Sequence, residues 1–407
     1  MSGPMESEGK ITICMAFAGD RIGGSHISLK GLLDALPKSQ YRVIVVIEVP
    51  GGRIAELFSD YDQLTDPCAL AKPFAVGRSF GIGSALRTLP RIFGRARLLK
   101  DLGVDVVHTN DGRSHASWAL AAKLAGSRMV WYHRGDPDAR GTSFIAPLLA
   151  DQIVSVSEYS LPRCRWGKLK QARVIHSPFD VNISVDRDEM RKQLLSELGY
   201  PDDTIICGYF GQYIVRKRPS MFIEAIAELE RISDRPVLGV MFGEPEDEAV
   251  YADMQERLSD ARHAPPVKLM GYRKPGHDWI AACDALLITA LNEPLGRTLV
   301  EAMLVGTPVI ATRSGGNAEA VAPDCGIIVP AEDPKAMAAA TLDLLNAPER
   351  VIALTRRARA MAETRFTSER HVAEVSKVYR ELASKRRRSS NQGNKQRDNS
   401  HFTTSTR

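Results

Sequence analysis

Two glutamates eight positions apart, Glu293 and Glu301, flank a turn that contains a proline and a glycine. The apolar run 285–291 before the turn predicts a buried strand of a parallel sheet. The run 298–305 after the turn predicts a short helix that ends at a glycine. One carboxylate is therefore expected at the carboxyl end of a strand, and the other about one turn into the following helix.

The start of that helix offers backbone amides that have no partner within the helix. They belong to Leu295, Gly296, Arg297 and Thr298. A helix N-terminus of this kind binds phosphate groups, because its N–H groups and its dipole both favour negative charge. Carboxylates beside it can accept hydrogen bonds from sugar hydroxyls. The segment therefore predicts a site for a nucleotide sugar.

Length and composition limit the class of protein. The chain has 407 residues, which is enough for two domains. Hydrophobic residues make up 44% of it and charged residues 25%, which is the usual balance of a soluble globular protein. Its N-terminus lacks the basic start and apolar core of a signal peptide, and no apolar run is long enough to cross a membrane. The six cysteines form no Cys-x-x-Cys pair, which favours buried reduced thiols. We therefore expect a cytoplasmic protein.

The positive net charge comes from the end of the chain. Residues 385–407 contain seven basic residues and one acidic residue, so the rest of the chain is close to neutral. This distribution argues against nucleic-acid binding by the folded part. The segment 385–407 has almost no apolar residues and is predicted to be a disordered basic tail.

Two segments could bring the protein to an anionic membrane surface. One is the basic run Lys385–Arg388 of the tail. The other is segment 85–100, which mixes five basic residues with leucines, an isoleucine and a phenylalanine. An ordinary amphipathic helix packed on a sheet is the alternative reading of segment 85–100, and a solvated tail is the alternative reading of 385–388.

Strand-like runs alternate with amphipathic stretches along the chain. The first series covers 11–17, 41–49, 104–109, 129–133, 153–157 and 174–176, and the second covers 205–211, 237–242, 267–270, 285–291, 308–312 and 326–329. Continuous apolar strands that alternate with helices predict parallel sheets covered on both faces. Two series predict an α/β protein with two doubly wound, Rossmann-like domains that face a cleft, each binding ligands at the carboxyl ends of its strands.

Three segments together resemble a known family. They are Glu293 to Glu301 followed by Ser314-Gly-Gly-Asn-Ala-Glu319, the strand and basic loop from Gly208 to Pro219, and the glycine loop Gly23-Gly24-Ser25-His26. A histidine at the end of a strand, His133, fits the same pattern. These residues resemble the retaining glycosyltransferases of family 4, which have the two-domain GT-B fold.

The resemblance implies a role for each matching residue on the nucleotide-sugar side. Glu301 would bind the ribose hydroxyls, and Glu293 would contact the hydroxyls of the transferred sugar and stabilise developing charge. Lys217 would neutralise the diphosphate. Tyr272 and Arg273 fall where the family binds the base through its backbone.

On the other domain, the resemblance implies that Gly24 supplies an amide beside the diphosphate. It also implies that His133 touches the sugar or the reaction centre. One departure from the family stands at Gln212, where an arginine is usual, and the nearby cations Arg216, Arg218 and Arg297 could replace it. If none of them reaches the phosphates, leaving-group stabilisation is weaker.

The resemblance also implies a domain division. Residues 1–9 would be a flexible N-terminus, 10–182 an N-terminal domain on the acceptor side, and 183–365 a C-terminal domain on the donor side. The final helix, 366–384, would cross back and complete the N-terminal domain.

No metal or other cofactor is expected. The histidines do not show metal-ligand spacing, and the two Asp-x-Asp matches, at 60–62 and 136–138, are expected by chance. The helix N-terminus and Lys217 could supply positive potential to a leaving group without a metal.

The leading functional prediction is a retaining glycosyltransferase. It would use a UDP- or GDP-sugar and a glycan, lipid-linked or other hydroxyl acceptor, in cell-surface polysaccharide biosynthesis, and would be cytoplasmic or peripheral on the inner face of the membrane. Two alternatives remain open, a nucleotide-sugar epimerase of the same fold and a catalytically silent family member. Gln212 favours the silent member.

Overall fold

A computed structural model of the chain describes residues 9–69, 82–138, 148–163, 172–259, 264–321 and 323–402. The chain divides into two compact units. The first comprises Met1–Val156, Ser160–Pro178 and Ser368–Arg407, and the second comprises Ser157–Tyr159 and Phe179–Thr367. Residues 1–8 of the predicted flexible N-terminus lie outside the described residues.

The first unit is built on a parallel sheet of seven strands. They are β1 (Ile11–Ala16), β2 (Tyr41–Ile47), β3 (Asp62–Thr65), β4 (Val106–Thr109), β5 (Arg128–His133), β6 (Gln152–Ser155) and β7 (Ala172–Val174). Their order across the sheet is β3-β2-β1-β4-β5-β6-β7. The central strands β1, β4 and β5 are buried except at their first residues Ile11 and Arg128, as expected of parallel strands covered on both faces.

In the part of the first unit that the structure describes, four helices connect these strands. They are α1 (Gly24–Ala35), α2 (Arg53–Leu57), α3 (Ile82–Asp101) and α4 (Gly112–Ala125). Helix α4 begins where Asp111 accepts hydrogen bonds from the amides of Arg113 and Ser114, and it ends at Gly126 in the left-handed conformation. Segment 85–100 thus lies within a helix, of which side chains are described only from residue 90 onward.

The second unit is built on a parallel sheet of six strands. They are β8 (Ile205–Phe210), β9 (Val237–Phe242), β10 (Val267–Gly271), β11 (Ala285–Ile288), β12 (Val309–Thr312) and β13 (Ile327–Val329). Their order is β10-β9-β8-β11-β12-β13. The chain therefore moves outward from β8 in one direction and resumes on its other side at β11. Ligands of such sheets bind at the carboxyl edge, beside this switch in direction.

Eight α-helices of this unit lie within the described residues. They are α5 (Arg187–Leu198), α6 (Pro219–Ile232), α7 (Glu248–Leu258), α8 (Gly276–Ala281), α9 (Arg297–Val305), α10 (Asn317–Ala320), α11 (Pro334–Leu345) and α12 (Pro348–Arg365). The core fills the space between sheet and helices, and Phe222, Ile226 and Met241 are fully buried there.

The predicted fold class is confirmed, and all twelve predicted strands have an observed counterpart. The seventh strand of the first sheet, β3, was not predicted. Its sequence Asp-Gln-Leu-Thr has no apolar run, because β3 lies at the sheet edge and pairs only with β2. The chain passes to the second unit between Pro178 and Phe179, a few residues before the predicted boundary at 183.

The last helix, α13 (Ser368–Phe402), belongs to the first unit. Its Tyr379 hydroxyl lies 2.6 Å from Nδ1 of His108 on β4, and both side chains are buried. His371 binds the main-chain oxygen of His176 over 2.7 Å. Burial lowers the pKa of His108 to about 3, so its imidazole is neutral at neutral pH.

The sequence predicted disorder from residue 385, but α13 continues to Phe402. Lysine and arginine favour helix, and extending a helix that is already formed costs little. Arg386 also forms an ion pair with the buried Asp105 over 2.6 Å and donates to the main-chain oxygen of Gly126. Arg386, which belongs to the run Lys385–Arg388 predicted to face a membrane, thus holds α13 to the first unit. Residues 403–407 lie outside the described residues.

We predict that Tyr379→Phe destabilises the protein by about 1–3 kcal/mol, because the buried His108 nitrogen loses its partner while the packing volume is kept. Urea unfolding of the full chain, followed by tryptophan fluorescence, measures the change. Arg380→Ala, an exposed position on the same helix, is the control and should have little effect. An unchanged midpoint in Tyr379→Phe would contradict the role of this hydrogen bond.

Candidate active site

The centre of the candidate site is the carboxylate of Glu293. It follows β11 at the carboxyl edge of the second sheet, and the residue is only 7% exposed. Asn292 before it has a φ of +52°, a left-handed conformation that asparagine tolerates better than most residues. This turn directs the glutamate inward at the point where the strand order of the sheet changes direction.

Two cations neutralise this carboxylate. Oε2 of Glu293 lies 2.5 Å from Nη1 of Arg216 and 2.7 Å from Nζ of Lys217. Burial by itself raises the pKa of the Glu293 carboxyl, but Lys217 and Arg216 outweigh it and lower the pKa below its ordinary value. The glutamate is therefore ionised at neutral pH and cannot act as a proton donor there.

The cations reach Glu293 because their loop is bonded to the end of β11. They lie on a 3₁₀ turn, Val215–Lys217, that follows β8, the neighbour of β11 in the sheet. The amide of Leu291 donates to the main-chain oxygen of Arg216 over 2.8 Å. The Thr289 hydroxyl donates to the main-chain oxygen of Lys217 over 2.9 Å. Main-chain bonds thus fix where the two positive charges lie.

Two glycines support the Glu293 turn from the loop after β12. A Cβ on Gly315 would lie 2.5 Å from the backbone nitrogen and oxygen of Glu293, and a Cβ on Gly316 would lie 2.4 Å from the oxygen of Pro294. Gly315 also has a φ of +60°. The amide of Gly316 donates to the Glu293 oxygen over 2.7 Å. Larger residues would separate the two loops, so glycine is required at both positions.

Helix α9 begins directly after this turn. Gly296 precedes its first residue and provides no side-chain cap, so its first amides are available to an anion. Arg297 stacks over the Phe179 ring at 4.4 Å and lies 3.6 Å from Glu301, one turn further along. The Glu301 side chain is 22% exposed. One stretch of the sheet edge thus carries the carboxylates of Glu293 and Glu301 and the uncapped N-terminus of α9. The two cations that pair with Glu293 lie at the same edge.

Two predicted site residues of this unit pair with other side chains, and a third is largely exposed. The amide nitrogen of Gln212, which is exposed, lies 2.5 Å from the Glu246 carboxylate. Arg273 forms a two-pronged ion pair with Glu197, which raises the pKa of its guanidinium. Tyr272 is 62% exposed. The Arg273 side chain is thus paired within the protein, which agrees with an expected role for the backbone of this segment and not for the side chain.

The predicted residues of the first unit lie on its own sheet edge. Gly24 starts α1 after β1, and His133 ends β5. His133 is 5% exposed, packs edge-on against Trp131, and its Nε2 lies 3.1 Å from the main-chain oxygen of Asp136. Burial lowers the pKa of His133 despite the opposing effect of Asp136, so the imidazole is neutral at neutral pH.

A series of hydrogen bonds connects the segments around His133 and Gly24. Arg134, next to His133, donates to Oδ1 of Asn110 over 2.8 Å. The Asn110 amide nitrogen donates to the main-chain oxygen of Ser25 over 3.0 Å. Sequence reasoning missed Arg134 and Asn110. The signal that could have found them is that each directly follows a predicted strand.

In the second unit, sequence reasoning named Arg216 only as a replacement cation and did not single out Asn317, which is fully buried beside the site. Over the described ranges, histidine, cysteine, aspartate and glutamate side chains form no group of three or more that could hold a metal. Within the same ranges, no helix has the length and apolar character needed to span a membrane.

Comparisons with known proteins place the chain among glycosyltransferases. It is 28% identical over 299 residues to a D-inositol 3-phosphate glycosyltransferase of Thermobispora bispora, covering 69% of this chain and 65% of the relative. It is 30% identical over 194 residues to the enzyme of that name from Corynebacterium urealyticum, covering 46% and 45%. The chain thus spans between about half and two thirds of the length of these curated relatives.

The fold has a solved counterpart. A crystal structure of Anabaena Alr3699/HepE in complex with UDP-glucose superposes with a TM-score of 0.72 at 18% identity, covering 90% of this chain and 99% of the other. A family model described as Glycosyltransferase Family 4 matches residues 22–205, and one described as Glycosyl transferases group 1 matches residues 204–347. Together they confirm the resemblance found in the sequence: the chain belongs to the family 4 glycosyltransferases of GT-B fold.

Proposed function

We propose that this protein transfers a sugar from a nucleoside diphosphate sugar to a hydroxyl acceptor. The observation that carries the proposal is the buried, ionised Glu293, held between Arg216 and Lys217 directly before the uncapped N-terminus of α9. This arrangement combines donors for a diphosphate with an acceptor for sugar hydroxyls. Membership of family 4 and the names of the curated relatives support the same activity.

In the proposed donor complex, the diphosphate lies against the amides at the start of α9 and against Lys217. Arg216 supplies the second positive charge, in place of the arginine that the family has at position 212. Glu301 accepts hydrogen bonds from the ribose hydroxyls, and the backbone at Tyr272 and Arg273 binds the base. Preorganised donors of this kind stabilise a transition state by on the order of 3 kcal/mol each.

The chemical step breaks the bond between the sugar C1 and the diphosphate oxygen, which keeps the electron pair. The acceptor oxygen bonds to C1, and its proton passes to the oxygen of the departing diphosphate, so atoms and charge balance. Glu293 is proposed to stabilise the positive charge that develops on the sugar. We propose retention of configuration, on the basis of family membership alone. We propose that no metal is needed, because the helix N-terminus and two cations supply the positive potential.

UDP is the first candidate for the nucleotide, since the Alr3699/HepE structure contains UDP-glucose. GDP remains the second. The carboxyl edge of the first sheet, with Gly24 and His133, is proposed to bind the acceptor. The acceptor is a glycan, a lipid-linked sugar or another polyol, in the biosynthesis of a cell-surface polysaccharide. The curated relatives, named for D-inositol 3-phosphate, support a polyol.

A catalytically silent protein is the second candidate, and Gln212 is the observation that favours it. Its side chain bonds to Glu246 and brings no charge to the site. Acceptor-dependent turnover separates a transferase from this alternative. Release of UDP without an acceptor would instead indicate an epimerase.

We also propose that the enzyme works at an anionic membrane surface through α3. Phe93 on this helix is 63% exposed and the Arg97 side chain is 86% exposed, so an apolar and a basic group both face solvent. The protein should float with vesicles that contain phosphatidylglycerol and not with vesicles of phosphatidylcholine alone. Phe93→Ser should weaken flotation, and equal recovery with both vesicles would contradict the proposal.

We predict that Glu301→Ala loses nucleotide binding, because a ribose bound at a partly buried site would lose its hydrogen-bond acceptor. Calorimetric titration with UDP-, GDP-, ADP- and CMP-sugars should show binding of one nucleotide class to the wild type and at least a tenfold loss in the variant. Glu228→Ala, a carboxylate of α6 paired with Arg231, is the control. Undiminished binding by Glu301→Ala would refute the ribose assignment.

We predict that Lys217→Ala lowers kcat/KM roughly 10²- to 10³-fold, because the diphosphate loses a preorganised cation. In this variant only Arg216 opposes the effect of burial, so the pKa of Glu293 rises. The acid limb of the pH profile should therefore also move to higher pH. Arg218→Ala is the matched control, because this neighbouring cation pairs with Glu332 instead. Assays should contain excess EDTA, and a loss of wild-type activity that divalent cations restore would contradict the metal-free mechanism.

A further inference from the structure

Asn317, the first residue of α10, is fully buried in the second unit. Its amide nitrogen lies 3.2 Å from the main-chain oxygen of Thr312 and 3.5 Å from that of Ala290. Both neighbours are acceptors, so the nitrogen of the side-chain amide must face them. This fixes the orientation of the side chain and directs the amide oxygen, Oδ1, away from them.

That oxygen, Oδ1, has no hydrogen-bond partner among the described residues. A buried carbonyl oxygen without a donor costs free energy, and native proteins retain few such groups without a reason. The main-chain oxygens of Thr312 and Ala290, together with the Thr312 hydroxyl oxygen 3.3 Å from the nitrogen, are already enough to hold the side chain in place. The unpaired oxygen therefore needs an explanation other than local structure.

The oxygen faces Gly296, at the start of α9. A Cβ on Gly296 would lie 3.8 Å from Oδ1 of Asn317 and 3.9 Å from Cγ of Glu293. It would also lie 3.3 Å from Cβ of Leu299. The space that a side chain at Gly296 would fill is therefore bordered by the amide oxygen of Asn317 and by Glu293, which is proposed to bind sugar hydroxyls.

We propose that Oδ1 of Asn317 accepts a hydrogen bond from one hydroxyl of the transferred sugar, which lies over Gly296 with Glu293 on its other side. The proposal rests on the proposed function, because it places the sugar of the donor at this turn. Asn317 is fully buried, and the side of Gly296 that carries no side chain is the face from which the hydroxyl approaches Oδ1 in this proposal.

This contact makes Asn317 a residue that determines donor specificity. A buried acceptor discriminates strongly between a sugar that carries the matching hydroxyl and one that lacks it, because it stays unpaired with the second. The nucleotide part of the donor makes no contact with Asn317. Sugar selectivity and nucleotide affinity should therefore separate on substitution.

The test titrates the wild type and Asn317→Ala with UDP, UDP-glucose and the monodeoxy analogues of UDP-glucose, with the GDP-mannose series used if GDP is the bound nucleotide. One analogue should bind the wild type at least ten times more weakly than its parent. Asn317→Ala should bind the parent sugar more weakly by the same factor, show no further loss with that analogue, and bind the free nucleotide like the wild type.

Thr312→Val is the matched control. Thr312 is equally buried; its hydroxyl donates to the Ala290 oxygen over 2.7 Å and accepts from the Asn317 nitrogen over 3.3 Å. The substitution therefore removes one of the three partners of that nitrogen and keeps Oδ1. It should lose stability and keep the discrimination between parent and analogue. Equal weakening of UDP and of UDP-glucose in Asn317→Ala would show a structural role and overturn the proposal.

The analogue series on the wild type tests the proposal even if Asn317→Ala does not fold. Binding of every monodeoxy analogue within threefold of its parent would overturn the assignment of Asn317 and leave the proposed function standing. A wild type that binds neither free nucleotides nor nucleotide sugars would overturn the proposed function itself, and the role of Asn317 with it.

Discussion

The site depends on the ion pairs that join Glu293 to Arg216 and Lys217. A carboxylate this deeply buried is costly unless opposite charges lie within hydrogen-bonding distance. The two cations satisfy that requirement, and they come from a loop more than 70 residues earlier in the chain. The loops after β8 and β11 must therefore stay together, which fixes the position of the adjoining helix N-terminus.

The main chain around this charge cluster is arranged to keep it in place. The Leu291 and Thr289 bonds attach the cationic loop to β11, and Gly315 and Gly316 bring the next loop against the backbone of Glu293. A parallel sheet makes this possible because all its strands deliver their following loops to one edge. The charges are thus positioned by backbone geometry, and the side chains need little freedom of their own.

Local sequence patterns predicted most of the fold and the centre of the site. The strand, turn and helix around Glu293 follow from apolar runs and from a proline and a glycine, all within a short window. Contacts between distant segments had no such signal. The pairing of Lys217 with Glu293, of Gln212 with Glu246 and of Arg273 with Glu197 required the folded sheet. The same holds for Arg386, which composition assigned to a tail and which instead pairs with Asp105.

The charge balance of the cluster decides how it can bind a diphosphate. Arg216 and Lys217 carry two positive charges, and Glu293 carries one negative charge, so the group keeps a net charge of about +1 at neutral pH. A diphosphate at Lys217 would compete with Glu293 for the same N–H donors. The uncapped amides of α9 offer the positive potential that Glu293 does not already use. In the proposed reaction, with glutamine at position 212, the helix N-terminus therefore carries a larger share of leaving-group stabilisation than it would beside an arginine.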